Sequence, residues 1–158
     1  MKKLNFLLLL VVCACQEQGP NCEETTNQRT TDQTAGLVVS MLDDRYLAYD
    51  TKQGEDLGRF GIKITDAQQY RRVFSYCCEN RLDSVDFAQF DVLGLTTVNL
   101  GSNSTYLLDV KRDDAAKKIV YTVTERYCQK ASPFDGRGNF VVVPKLPTAY
   151  QVEYVRNQ

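Results

Sequence analysis

Near the C-terminus two apolar-rich runs flank a proline-bounded turn: residues 140–143 read FVVV and residues 150–155 read YQVEYV, with Pro144 and Pro147 between them. In the second run Tyr150, Val152 and Tyr154 alternate with Gln151 and Glu153, a period of two that turns one face to a core and the other to water. Each proline fixes φ and removes a donor where pairing would have to stop. The pattern predicts a closing β-hairpin. Further strands are expected near 90–98, 105–111 and 119–127; in the last, Val120, Thr122 and Thr124 alternate with Tyr121, Val123 and Glu125, a β-branched composition suited to a pleated surface. Residues 111–118, KRDDAAKK, read as a charged hairpin loop, and residues 129–138, with Pro133, Gly136 and Gly138, as a longer one.

In the first half of the chain, apolar runs at 37–42 and 46–49 flank Asp43, Asp44 and Arg45, which predicts a first hairpin. A helix competes for the earlier run, because Leu37, Met41 and Leu42 also fit a period of 3.6. A loop over 50–61 leads to a short strand at Ile62 and Ile64. Thr65 or Asp66 then caps a helix through about Ser75, with Ala67, Tyr70, Val73 and Phe74 on one face and Arg71 and Arg72 outside. Residues 16–36 are polar, rich in Thr and Gln, and without apolar periodicity, so they cannot bury enough surface to offset their ordering entropy. With 158 residues, 43% of them apolar, one core is expected. The expected fold is α+β but β-rich: a mostly antiparallel sheet or small sandwich with one helix packed on it, stabilised by disulfides.

The first residues give the chain an address. Lys2 and Lys3 precede an apolar run over 4–12 that is too short for a lasting membrane helix and reads as an export signal. Val12, Cys13, Ala14 and Cys15 follow, and they resemble the lipobox of bacterial lipoproteins, with small Ala14 before the acceptor Cys15. Cys13 cannot be the acceptor, because bulky Val12 precedes it. The resemblance implies a diacylglyceryl group on Cys15 and an anchor of several acyl chains in a lipid bilayer; ordinary cleavage after Ala14 is the alternative. The expected organisation is a signal peptide over 1–14, a flexible tether over 15–36 and one β-rich domain over 37–158. Glu17, Glu23 and Glu24 resemble a surface-export signal of lipoproteins, and an ordinary solvated spacer fits them as well. The expected location is the bacterial cell envelope, on the periplasmic or surface face of the outer membrane.

Composition then closes off chemistry. The chain has no His, so it lacks the imidazole used in nucleophile pairs, as a metal ligand and in proton transfer near neutral pH. Loss of the signal leaves 17 basic and 20 acidic residues, a net charge of −3, which is not the footprint of a nucleic-acid binder. Carboxylate pairs such as Asp43-Asp44 and Asp113-Asp114 lie in polar stretches and read as solvated turns. No cofactor is expected. Past the signal stand Cys22, Cys77, Cys78 and Cys128; thiols of an exported protein favour disulfides, and four allow three pairings. A bond between neighbours Cys77 and Cys78 is disfavoured as strained, so one of them is expected to reach Cys128 and the second bridge could take Cys22.

Five stretches carry a family resemblance: IKITDAQQYRRVF, VDFAQFDVLGL, GSNSTYLLDV, VYTVTERY and VVVPKLPTAYQVEY. In order and spacing they resemble the C-terminal domain of PrcB-type protease-complex subunits, over about residues 60–156. The resemblance implies a small β-rich domain, found in envelope lipoproteins, whose namesake binds and stabilises a surface protease. Ser104, Thr105 and Tyr106 stand where that family more usually has a Gly-Tyr pair, so no partner-contact residue carries over. Loops over 101–105 and 133–139 are where binding residues are expected on a rigid sheet, with Ser102, Asn103, Tyr106, Phe134 and Arg137 as candidates. Tyr106, Tyr127 and Tyr150 could together form an exposed aromatic patch. The function expected is a non-catalytic lipoprotein that binds or stabilises an envelope protease or another envelope protein. The alternatives are a structural or small-ligand or glycan-binding envelope protein and, further off, a hydrolase without histidine.

Overall fold

The computed structural model describes residues 32–78, 81–102, 104–126, 129–130 and 136–157. Strands β1 (Gln33–Gly36), β2 (Ser40–Met41), β3 (Tyr49–Asp50), β4 (Glu55–Asp56) and β5 (Ile62–Ile64) precede two short helices, α1 (Ala67–Val73) and α2 (Ser75–Cys78). After them come β6 (Phe90–Val98), β7 (Gly101–Ser102), β8 (Thr105–Asp113), β9 (Lys118–Arg126), β10 (Gln129–Lys130), β11 (Gly136–Pro144) and β12 (Gln151–Asn157). A central sheet has the order β2-β11-β6-β5 and an outer sheet the order β1-β8-β9-β12; β3 with β4 and β7 with β10 make small ribbons.

Burial explains the two sheets. Leu93, Leu95, Val141 and Val143 of the central sheet pack against Tyr106, Leu108, Val110, Ile119, Tyr121 and Val123 of the outer sheet. On its other face Val92, Phe140 and Val142 pack against Tyr46, Tyr70, Val73 and Phe74. The central strands are thus covered on both faces, which is why residues 92–95 of β6 and 140–143 of β11 carry no polar side chain, whereas β8 and β9 alternate because one face of their sheet is uncovered. Helix α1 starts at Asp66, whose extended backbone and carboxylate, accepting from the Gln69 amide at 2.7 Å, satisfy an orphan donor of the first turn. Tyr70, Val73 and Phe74 face the sheet, as the period required; Ala67 is exposed.

The β-rich α+β class and the largely antiparallel pairing are as expected, and both outer strands of the outer sheet, β1 and β12, pair in parallel. Three expectations are corrected. The C-terminal runs are not a hairpin: β11 pairs with β6 and β2 in the central sheet, while β12 pairs with β9 in the outer sheet. The Pro144–Pro147 stretch is a strap between sheets, and its Leu146 is buried in the core between them. The first predicted hairpin is also absent. Gly36, with φ +67°, lets the chain leave β8 and join β11 through Val39 N–H to Val142 O at 2.9 Å, while Tyr46 and Ala48 enter the helix-side core without forming a ladder. A Cβ on Gly36 would sit 2.1 Å from Val110 O, so the crossing needs glycine. Finally, the ordered domain starts before residue 37: β1 is polar, but its backbone is held by β8, a parallel edge pairing that leaves no apolar period to read.

Four tyrosines of this core, Tyr70, Tyr106, Tyr121 and Tyr154, have hydroxyl pKa values raised chiefly by burial, which penalises the phenolate. The stability tied to each is complete below the unfolded value, about 10, and is lost as pH rises above it. Urea unfolding should therefore show a midpoint that falls progressively as pH rises above about 10; an unchanged midpoint there would contradict this.

Candidate binding surfaces

The sandwich has two ends. At one, β6, β9 and β12 finish while β8 and β11 begin. Of the candidate residues, Tyr106 and Arg137 meet here. The Arg137 guanidinium lies 4.6 Å from the centre of the Tyr106 ring and pairs with Asp32, whose other oxygen accepts from the Tyr106 amide at 2.9 Å. The Tyr106 hydroxyl donates to Asn99. Glu125, inward-facing and buried, accepts from the Leu100 amide at 2.8 Å and from Ser104. Ser102 lies in β7, opposite Gln129; Asn103 and Phe134 lie outside the described residues.

This arrangement seals the end of the inter-sheet core. Tyr106 is 2% exposed, so it is a buried pillar and not a contact residue, and Arg137 is half-buried beneath it. The predicted patch of Tyr106, Tyr127 and Tyr150 is corrected on the same ground: Tyr150 sits at the opposite end, against Arg112 and Asp114, and Tyr127 is outside the described residues. Asp32, Asn99 and Glu125 are participants that the sequence reading missed. Glu125 carried a signal, because it occupies the inward position after Ile119, Tyr121 and Val123, where a carboxylate must find partners or raise its energy.

An exposed aromatic surface does exist, on the helix layer. Tyr76 is 62% exposed, Tyr49 38% and Leu47 39%; the two rings lie 5.7 Å apart at 53°. Beneath them Cys77 and Cys78, adjacent in sequence, stand at disulfide distance from each other, the pairing disfavoured above as strained; the expected bridge to Cys128 ends outside the described residues. Cys22 and Cys128, like Cys15, lie outside the described residues. Cys78 is anchored in the helix-side core, and Cys77 Sγ accepts from the Leu47 amide at 3.4 Å, so the support ties all three apolar residues to one frame.

Beside α1 runs an open groove of about 440 Å³ lined by Tyr70, Arg71, Leu82, Asp83, Val85 and Phe87. Asp83 fixes its rim, accepting from the Tyr46 hydroxyl at 2.9 Å and pairing with Arg45 at 3.3 Å. Asp86, expected to cap a turn, accepts from the Ala88 amide at 3.0 Å and is structural. Among the described residues no group of three His, Cys, Asp or Glu is placed to hold a metal ion, and no helix is long and apolar enough to cross a membrane. Comparison with protein-family models, with curated proteins and with solved structures found no match to this chain.

Proposed function

We propose that the chain is an exported, lipid-anchored binding module of the bacterial envelope, whose surface formed by Leu47, Tyr49 and Tyr76 docks another envelope protein. The observation that carries this reading is the exposed pair of tyrosines on a disulfide-braced support. Aromatic rings of this kind bring large contact area at little cost in side-chain freedom and dominate protein interfaces. The N-terminal signal and lipobox-like segment supply the setting, and the PrcB-type resemblance makes an envelope protease the first partner to test.

The test places a photo-crosslinking residue at Tyr76 in the acylated protein in native membranes, with the same group at Lys117 as control. A single envelope protein is expected to crosslink from position 76 and not from 117. Tyr76→Ser should lower its co-purification at least about tenfold while leaving the melting temperature unchanged, because Tyr76 is mostly in solvent. Equal crosslinking from both positions, or full capture by Tyr76→Ser, would remove this docking surface.

A further inference from the structure

Asp32 is held by Arg137 and by the Tyr106 amide, and β1 leaves it parallel to β8. The chain that comes from Cys15 therefore joins the domain at the end where β6, β9 and β12 finish. Even fully extended, the stretch from Cys15 to Asp32 spans no more than about 60 Å. This end differs from the other in what it shows to solvent. Phe60 is 81% exposed and Val98, the last residue of β6, 51% exposed. The turn that carries Phe60 belongs to this end: Gly58 O accepts from the Thr96 amide at 2.9 Å, and the Arg156 guanidinium of β12 donates to Thr96 O, at 3.0 Å from Nε, and to Arg59 O. The Arg59 guanidinium lies 5.3 Å from the Phe60 ring centre. Arg59, Arg126 and Arg156 are all exposed.

The acids here are mostly turned inward. Asp32 is taken by Arg137, Glu125 by Leu100 and Ser104, and Asp56 by the Gly58 amide and the Thr96 hydroxyl; among the described residues, Glu55 of β4 is an exposed acid nearby. At the opposite end Arg112 pairs with Asp114 and Lys118 with Glu153, Lys117 is exposed, and none of the exposed large apolar residues lies in the 111–118 turn. An apolar ring standing among arginines, at the end that faces a lipid anchor, matches a phospholipid headgroup layer: the ring enters the interface and guanidinium groups bond phosphate. We propose that this end seats directly on anionic phospholipid, with Phe60 inserted and Arg59 and Arg126 on headgroup phosphates, so that the domain stands upright on the leaflet that holds its anchor. The setting rests on the lipid-anchor reading; the surface itself does not need it.

The mature chain carrying Cys15→Ala, which cannot be acylated at that position, is tested by co-flotation with vesicles of phosphatidylglycerol and phosphatidylethanolamine and with vesicles of phosphatidylcholine. It is expected to float with the first, less so as salt rises, and weakly with the second. The combined variant Phe60→Ser, Arg59→Gln, Arg126→Gln should lose about tenfold or more in partitioning, while Lys117→Asn in the opposite turn should lose nothing, each with an unchanged melting temperature. Equal binding to both vesicles, or a combined variant that floats like the parent, overturns the proposal. Palmitate labelling of the unaltered chain reads the anchor separately: a labelled chain whose Cys15→Ala form ignores vesicles keeps the anchor and loses the seat, and an unlabelled chain that still floats keeps the seat and loses the anchor.

Discussion

Phe140→Ala is expected to destabilise the domain by about 3–5 kcal/mol, a large share of the ~5–15 kcal/mol available to a domain of this kind. The ring is 2% exposed and meets Phe74 edge to face at 4.8 Å. It also lies over two glycines. Gly94 stands opposite it on β6, and a Cβ there would be 2.1 Å from the ring; one on Gly138 would be 2.4 Å from it. Because neither neighbour owns a side chain, nothing can swing in to fill the void, and the cost belongs at the upper end for a buried aromatic. Equilibrium urea unfolding measures it. A loss under about 1 kcal/mol would mean that the helix layer collapses onto the sheet, which the packing here does not permit.

Asp91→Ala is expected to cost about 3 kcal/mol and to lower the melting temperature by roughly 10 °C. Asp91 is fully buried at the start of β6. Its Oδ2 accepts from the Leu146 amide at 3.0 Å, and Lys145 and Lys63 approach its two oxygens at 2.8 and 3.6 Å. Lys145 Nζ also donates to the carbonyls of Thr65 and Phe87. One carboxylate thus fastens the inter-sheet strap, while the lysine it holds reaches the segments before α1 and before β6. Asp91→Asn keeps an acceptor for the Leu146 amide and should lose clearly less than Asp91→Ala. Equal losses in the two variants would show that the ion pairs, and not the amide contact, carry the effect.

The strands of the second half were legible because their periods report burial directly: the alternation of β9 and the unbroken apolar run of β11 both appear where the sequence put them. What the sequence reading did not extract was partnership. The difference between FVVV and QVEYV did hold a clue, since a run apolar at every position suits a covered central strand and an alternating one suits a half-covered sheet, yet adjacency along the chain pointed to a hairpin. Strand β1 was illegible for a different reason: its bonds are all backbone, so its side chains are free to be polar. The candidate surface was half legible. Loop residues Tyr106 and Arg137 do meet, but burial turned them into a seal, and Tyr49 with Tyr76 became neighbours only through folding, across 27 residues of sequence.

The parallel pairing of both outer strands bears on how the chain reaches its native state. The β8–β9 hairpin can form as soon as its turn closes, but β1 must wait for a partner more than 70 residues downstream, Gln33 meeting Leu107, and β12 adds to β9 only after the strap has crossed between sheets. Closing such long loops takes entropy before it returns any contact, which places a topology of this kind among slow folders, in milliseconds to seconds. The outer sheet is therefore complete only when the last seven-residue strand arrives. Until then β9 keeps one edge unpaired, so the sheet lacks its fourth strand for as long as residues 151–157 are not in place.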